Sequence, residues 1–114
     1  MSVELPSGKS IFAVWAPDSD APGTMELRMK VGPAHGAKLG ADPNNRVAGP
    51  LICPESPAEG GTKIFGSLVL FEANSLEEVR EKIEQDIYWT SGVWDKSKLT
   101  ILPFLQRSGS VNVA

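Results

Sequence analysis

The sequence predicts a single α+β domain in which helices cover one face of a four-stranded antiparallel sheet. Three observations support this fold class. The predicted elements follow the order strand, helical region, strand, strand, helix, strand. One amphipathic segment begins with a capping box, which is typical of a helix start. The chain has 114 residues, enough for one domain with its own core but not for two.

The first half of the chain contains two strands and a weaker helical region. Residues 1–10 are polar and are expected to form a flexible lead-in, whereas residues 11–16 are β-branched and aromatic, as in a strand. Residues 24–39 have helical composition, but we expect Gly32 and Pro33 to break them into two short helices. Residues 46–52 read as a second strand, interrupted at Gly49 and Pro50.

The second half gives clearer signals. Residues 63–72 are a nearly continuous apolar run, which is typical of a strand buried on both faces. Ser75 and Glu78 form the capping box of a helix that ends near Gln85, and Glu78 is expected to pair with Lys82 on its outer side. An aromatic loop over residues 89–94, a last strand over 99–104 and a tail over 106–114 complete the chain.

This βαββαβ order is that of the ferredoxin-like unit, which we assign to residues 11–105. Its sheet has helices on one face only, yet residues 63–72 are too apolar for a strand whose other face meets water. We therefore expect a homodimer in which two sheets pack face to face. The interface is expected to bury the outer face of residues 63–72 and part of the 89–94 loop.

Composition excludes several classes of protein. A net charge of -3 and an isoelectric point near 5.1 argue against a nucleic-acid partner. No apolar run approaches the roughly 20 residues of a membrane span, and the N-terminus lacks the pattern of a secretory signal, so we expect a cytoplasmic protein without membrane contact. One cysteine and one histidine cannot form a closed Cys/His zinc site, and no metal or phosphate motif is present; we expect neither metal nor cofactor.

Several short motifs occur in a characteristic order. In the second half they are residues 66–73 (GSLVLFEA), 75–79 (SLEEV), 86–88 (DIY), 91–95 (SGVWD) and 101–104 (ILPF). Upstream are Arg28, residues 33–35 (PAH) and residues 48–51 (AGPL). Together they resemble the YCII-related (YciI-like) family, most closely its fungal-type members, from about residue 11 to 104. The resemblance implies a dimeric α+β barrel, a superfamily that includes isomerases, dehalogenating lyases, cofactor-independent monooxygenases and members without known activity.

The resemblance also implies a catalytic pair, His35 and Asp86. Histidine exchanges protons near neutral pH, and a carboxylate can hold its imidazole in one tautomer. Asp86 follows the predicted second helix, where a negative charge is unfavourable because the C-terminal end of the helix dipole is also negative. Its position there indicates a role other than stabilising the helix. The alternatives are an ordinary surface or packed histidine and a solvated acid. The two residues are predicted to hydrogen-bond at the edge of a pocket lined by aromatic residues.

The remaining candidate substrate-binding residues are Arg28, Tyr88, Ser91, Trp94 and Trp15. Tyr88 could donate a hydrogen bond to a substrate oxygen or simply pack, and Trp94 could wall a planar ring or contact the second copy. Trp15 is expected in the core or the pocket lining. Arg28 is expected to pair either with a substrate carboxylate or with a surface acid such as Glu26.

Two hypotheses about function follow. The first is a small cofactor-independent enzyme, an isomerase, dehydratase or related lyase, that moves a proton on a small cyclic or aromatic-derived metabolite. His35 would be the base and Asp86 its orienting partner. The second is a non-catalytic module that binds a small ligand. Exposed chemistry at His35 favours the first hypothesis, and a His35 packed on apolar neighbours with no carboxylate in reach favours the second.

Overall fold

The computed structural model describes residues 8–55 and 63–109. In these segments the strands and helices are, in chain order, β1 (Ser10–Pro17), α1 (Thr24–Ala41), β2 (Asn45–Ile52), β3 (Ile64–Ala73), α2 (Leu76–Gln85), α3 (Ile87–Thr90), a 3₁₀ turn (Lys96–Lys98) and β4 (Thr100–Phe104). The predicted α+β class is confirmed, because the strands form one antiparallel sheet of order β2-β3-β1-β4. Most of the predicted lead-in, residues 56–62 and most of the predicted tail lie outside the described residues.

The core lies between the sheet and the helices. Successive side chains of a strand point to opposite faces, so one alternating set faces the helices. In register, Val14 of β1 lies opposite Val69 of β3 and Ile101 of β4, and all three are buried. From α2, Val79 and Ile83 pack into the same cluster. This arrangement fixes the two helices on one side of the sheet.

Helix α1 is continuous, so the predicted break at Gly32 and Pro33 is wrong. Its 18 residues include Pro33 in the interior, where proline removes one backbone hydrogen bond. Met29, whose carbonyl would have accepted that bond, and Pro33 itself are both exposed, so water can solvate the freed carbonyl. On its inner side α1 packs Leu27 and Val31 against the core. Tertiary packing therefore outweighs the local preference for a break.

Two other details of the sequence prediction need correction, while the start of α2 is confirmed. Strand β2 runs through Gly49 and Pro50 without interruption. The Ser75 hydroxyl accepts a hydrogen bond from the Glu78 N–H, as a capping box requires. Lys82, however, places its ammonium 2.8 Å from a carboxylate oxygen of Asp42 instead of pairing with Glu78. That contact joins α2 to the end of α1.

On the sheet face opposite the helices, the two edge strands, β2 and β4, carry exposed apolar side chains in the single chain. Val47, Leu51, Leu102 and Phe104 lie on this face and are between 41% and 59% exposed. The 89–94 segment differs from the predicted loop, because it begins as the helical turn α3 and its Trp94 is buried within its own chain. Trp94 is therefore not available as an interface residue. Among the described helices, none is long and apolar enough to cross a membrane.

Candidate functional site

A cavity of about 370 Å³ lies between α1 and the β2–β3 side of the sheet. This volume is within the range of small-molecule sites. From α1 the lining consists of Arg28, His35, Gly36, Leu39 and Gly40, and from the rest of the chain of Asn45, Ala48, Gly49, Pro50, Ser67, Val69 and Tyr88. The α1 residues lie at positions i, i+7, i+8, i+11 and i+12, so they share one side of the helix.

His35 and Asp86 form a hydrogen bond in the wall of this cavity. The His35 Nδ1 lies 2.8 Å from Asp86 Oδ1 and 2.9 Å from Oδ2, and both side chains are largely buried. An ionised carboxylate only accepts hydrogen bonds, so Nδ1 must carry the proton. In the neutral imidazole this leaves the Nε2 lone pair free, and Nε2 makes no hydrogen bond with any residue of the described segments. The predicted contact between residues 51 positions apart is confirmed.

The end of α2 positions Asp86. This residue closes α2 and is also the N-cap of α3, where its Oδ1 accepts the Tyr88 N–H at 2.8 Å. An N-cap carboxylate faces the positive end of the α3 backbone. At the end of α2 the negative charge of Asp86 is unfavourable to the helix dipole. The favourable position of the same charge at the start of α3 offsets this cost. The carboxylate thus serves a local backbone role and a long-range contact to His35 at once.

Two aromatic side chains hold the imidazole in place. The Tyr88 ring stacks on His35 with centroids 3.7 Å apart and planes 12° from parallel. Trp94 meets both rings edge-on, with centroids 5.7 Å from His35 and 5.6 Å from Tyr88. The Trp94 indole N–H donates to the Ser67 hydroxyl at 3.1 Å. Trp94 therefore supports the cavity wall from behind instead of lining it.

Arg28 is buried and paired, which differs from the expected surface pair with Glu26. Its Nε and Nη2 donate to the two carboxylate oxygens of Asp18 at 2.8 and 3.2 Å, and Nη2 also donates to Ser67 Oγ at 2.8 Å. The guanidinium carbon lies 4.7 Å from the centre of the Tyr88 ring. The guanidinium also hydrogen-bonds with the Tyr88 hydroxyl. Arg28 thus offers a fixed cationic donor to the cavity.

The Tyr88 hydroxyl is a neutral donor at working pH. Burial raises the pKa of Tyr88; the Arg28 charge opposes this effect, while the carboxylates of Asp18 and Asp86 add to it. A neutral phenol can donate a hydrogen bond to an oxygen that gains negative charge. The cavity therefore combines an imidazole acceptor with two donors.

The structure does not bring every predicted residue to this cavity. Trp15 lies opposite Leu68 and Thr100 on the other face of the sheet, because its neighbour Val14 faces the helices. Ser91 follows α3 outside the lining, and its buried hydroxyl has no partner among the described residues. The expected aromatic lining is also wrong, since most lining side chains are small or aliphatic.

Neither the single cysteine nor a metal-binding cluster adds to this site in the described residues. Cys53 is buried outside the lining and donates its thiol to Glu55, and that hydrogen bond is the main reason that the pKa of Glu55 is lowered. In residues 8–55 and 63–109, no group of three or more His, Cys, Asp or Glu side chains is placed to hold a metal ion.

Comparisons with curated proteins place the chain in a family. Fusaric acid biosynthesis protein 2 of Gibberella fujikuroi is 35% identical over 74 residues, a match covering 54% of this chain and 71% of that protein. The protein of the same description from Gibberella moniliformis is 34% identical over the same length, with the same coverage.

The chain belongs to the fusaric acid biosynthesis protein 2 family. It is also 35% identical over 74 residues to aspartate kinase FUB3 of Fusarium oxysporum, but that match spans only 14% of the kinase's length. No protein-family model matches the chain, so membership of the YCII-related family stays a prediction.

A solved structure supports the fold. The 5-chloro-2-hydroxyhydroquinone dehydrochlorinase of Burkholderia phenoliruptrix AC1100, in complex with 2,5-dihydroxybenzoquinone, superposes with a TM-score of 0.65 over 90% of this chain and 99% of that one. Its sequence identity is 22%, so the likeness concerns the fold alone. The fusaric acid biosynthesis protein 2 family member described here therefore has the ferredoxin-like fold.

Sequence reasoning missed three contributors to the site: Asp18, Ser67 and the glycines of α1. The spacing of Arg28, Gly32, His35, Gly36, Leu39 and Gly40 is the signal that could have revealed the α1 face. The predicted break at Pro33 hides this pattern. Asp18 and Ser67 carry no local signal, because only the fold brings them to Arg28.

Proposed function

We propose that the chain is a small-metabolite enzyme that transfers a proton, without metal or organic cofactor, on a cyclic or aromatic-derived substrate bound in the α1 cavity. The observation that carries the proposal is the hydrogen bond between His35 Nδ1 and Asp86, with Nε2 left free in the cavity lining. A carboxylate within reach of His35 supports the enzyme over the binding module.

The geometry supports a two-stage reaction. His35 Nε2 takes a proton from a carbon or hydroxyl of the substrate, and Asp86 stabilises the resulting imidazolium. The electron pair left behind moves onto a substrate oxygen, where the Arg28 guanidinium and the Tyr88 hydroxyl can donate hydrogen bonds. In an isomerisation, the imidazolium then returns the proton to another atom of the substrate. In an elimination, the electron pair moves back from the oxygen as a leaving group departs with its bonding pair, and the imidazolium gives its proton to that group or to water.

The relatives support the class of substrate. The curated relatives are named for fusaric acid biosynthesis. The solved neighbour is named for the loss of hydrogen chloride from a hydroxylated ring. Both concern small organic molecules. The matched segments span 54% of this chain, and the likeness to the solved structure is one of fold. Because neither comparison defines the reaction of this chain, the experiment below tests the reaction itself.

The test is proton exchange and chloride release. Cyclic hydroxyketones are incubated in deuterium oxide with the protein and followed by proton NMR, and 5-chloro-2-hydroxyhydroquinone is assayed in parallel for released chloride. His35→Asn is the matched variant, because its amide can still donate to Asp86 but has no atom in place of Nε2. We expect activity in the native chain and a loss of about 10²–10⁴-fold in the variant. Equal rates in both proteins on every compound would refute the proposal.

We also propose that two copies pack sheet to sheet. The exposed apolar side chains of the two edge strands, represented by Val47, Leu51, Leu102 and Phe104, support a partner of the same apolar character. The measurement is the molar mass by light scattering, with twice 12.2 kDa expected at micromolar concentration. Leu102→Glu should give the single-chain mass, whereas Met29→Glu, at an exposed position of α1, should not. A native chain of single-chain mass contradicts the dimer.

A further inference from the structure

Ser67 of β3 is a buried hydroxyl in the cavity lining that receives two hydrogen bonds. The residue is 4% exposed and lies on the sheet face that meets the helices, opposite Ala16. Its Oγ accepts from Arg28 Nη2 at 2.8 Å and from the Trp94 indole N–H at 3.1 Å. A guanidinium and an indole N–H are donors only, so neither partner can accept a hydrogen bond in return.

This pattern fixes the direction of the Ser67 hydroxyl hydrogen. A serine hydroxyl has two acceptor lone pairs and one O–H donor, and Arg28 and Trp94 use both lone pairs. The O–H must therefore point away from both donors, and no residue of the described segments accepts it. A buried donor without an acceptor is unfavourable. Because Ser67 lines the cavity, an oxygen bound there can supply the missing acceptor.

The Tyr88 hydroxyl has the same relation to Arg28. The guanidinium donates to the phenolic oxygen, and no acceptor for the Tyr88 O–H occurs in residues 8–55 and 63–109. One guanidinium thus contacts both hydroxyl oxygens, which places the two O–H groups at the same end of the cavity. Donation from a cation polarises each O–H and strengthens it as a donor.

The paired charges indicate the kind of oxygen that fits. Asp18 takes Nε and Nη2 of Arg28, which is the edge that a substrate carboxylate would need for a bidentate pair. The cation is therefore already neutralised, and the donors left for a ligand are the two hydroxyls. Hydrogen bonds to an ionised oxygen are about twice as strong as those to a neutral one. A single oxygen that becomes negative, as in a phenol or an enol, suits this arrangement.

We propose that Ser67 is a further substrate-binding residue, whose O–H acts with that of Tyr88 to bind a phenol or enol oxygen and to stabilise the negative charge that develops on it. Arg28 holds both hydroxyls in position. This inference rests on the proposed function and names its substrate class. The electron pair released when His35 takes a proton moves onto the oxygen that the two hydroxyls hold.

The experiment measures how strongly each protein favours the ionised over the neutral form of a phenol. The probe is 4-nitrophenol, whose ionised form absorbs visible light, so an absorbance titration gives the pKa of the bound probe. Ser67→Ala removes the hydroxyl, and Ser67→Thr retains it at a strand position that suits a β-branched residue. The control is Ser91→Ala, which removes another buried hydroxyl outside the lining. In every Ser67 variant, Asp18 still holds the guanidinium.

We expect the native chain, Ser91→Ala and Ser67→Thr to lower the pKa of the bound probe. Ser67→Ala should lose about tenfold of the preference for the phenolate, because one of two donors to the charged oxygen is gone. A purely structural role for Ser67 would instead weaken phenol and phenolate alike and leave the pKa of the bound probe unchanged. If Ser67→Ala does not fold, Ser67→Cys takes its place; its thiol fills the same position but donates weakly, so the preference should fall in the same direction.

Two results would overturn the inference. One is a bound probe with the same pKa in the native chain and in the folded variant that lacks the Ser67 hydroxyl. The other is a native chain that binds neither form of the probe. The proposed function is decided separately, by deuterium exchange in the native chain and in His35→Asn, so either result leaves it standing if that exchange is observed.

Discussion

Replacing Asp86 by Asn is expected to reverse the tautomer of His35 while preserving the fold. Asp86 Oδ1 accepts the buried Tyr88 N–H, and asparagine is as good an N-cap as aspartate, so the amide oxygen should keep that bond. The amide NH₂ then takes the place of Oδ2, which lies 2.9 Å from His35 Nδ1. Oδ1, which lies 2.8 Å from Nδ1, is then shared with the Tyr88 N–H, and the NH₂ faces Nδ1 as a second donor. This arrangement favours the tautomer in which Nδ1 has lost its proton and accepts from the NH₂, while Nε2 is protonated.

The expected magnitudes follow from these contacts. A hydrogen bond to a charged group contributes about 1.5–3 kcal/mol and a neutral one about 0.5–1.5 kcal/mol, so the substitution should cost about 1–2 kcal/mol of unfolding free energy. The effect on proton transfer is larger. With Nε2 protonated the base is lost, and activity should fall by about 10²–10⁴-fold.

The single histidine of the chain makes the assay direct. In a ¹⁵N NMR spectrum of the imidazole, the protonated and the unprotonated nitrogen are distinguished by their chemical shifts. At a pH where the ring is neutral, the native chain should show protonated Nδ1 and Asp86→Asn should show protonated Nε2. Asp86→Ser serves as control, since it keeps an N-cap but is too short to reach His35. Native and Asp86→Asn proteins with the same tautomer would refute this reasoning.

Three further predictions concern packing and titration. Gly66→Ala should lower the unfolding free energy by about 1–3 kcal/mol in a urea titration, because a Cβ at this position would collide with the Ala16 carbonyl oxygen; an unchanged midpoint contradicts this. Partial burial opposes ionisation of Asp42, but hydrogen bonds from Lys82 and a backbone N–H hold the pKa of Asp42 below its ordinary value. The stability from this carboxylate is complete above its unfolded pKa of about 3.9 and is lost as the pH falls through the folded value, so Asp42→Asn should flatten the acid limb of the stability curve. The raised pKa of Tyr88 acts in the opposite direction: the neutral phenol stabilises the folded chain below about pH 10, and this stability is lost as the pH rises through the pKa of the folded state. Ultraviolet titration of this single tyrosine should therefore show ionisation at a higher pH in the folded chain than in the unfolded chain.

The parts of the fold that sequence predicted well are those in which local signals agree with the tertiary structure. The capping box and apolar face of α2 define its start and its buried side, as Ser75, Val79 and Ile83 show. The apolar run that became β3 supplies Val69 and Phe71 to the core. In these segments, propensity and packing favour the same conformation.

The parts that sequence missed are those in which distant packing decides. Helix α1 continues through Pro33 because Leu27 and Val31 anchor it to the core, a contact that no local pattern reveals. The sequence predicts Trp15 in the core or the pocket lining, but the face on which a strand residue lies depends on the register of the whole sheet.

The candidate site shows the same division. The motif resemblance identified His35 and Asp86, and the structure brings them into contact. The partner of Arg28 could not be read from the chain, because Asp18 lies in the turn after β1 and meets Arg28 only once α1 is docked on the sheet. Pairing with a buried carboxylate fixes the guanidinium far more firmly than the expected surface pair would.

The measurement that tests the central claim most directly is a double-mutant cycle on proton exchange. His35→Ala, Asp86→Asn and the double variant are compared with the native chain for deuterium incorporation into the same cyclic substrate. Because the two residues are proposed to act as one unit, each single change should lower the rate by at least about 10²-fold, and the double variant should be no slower than the worse single variant. Losses that multiply in the double variant, or single variants that exchange at the native rate, would contradict proton transfer by a His35–Asp86 pair.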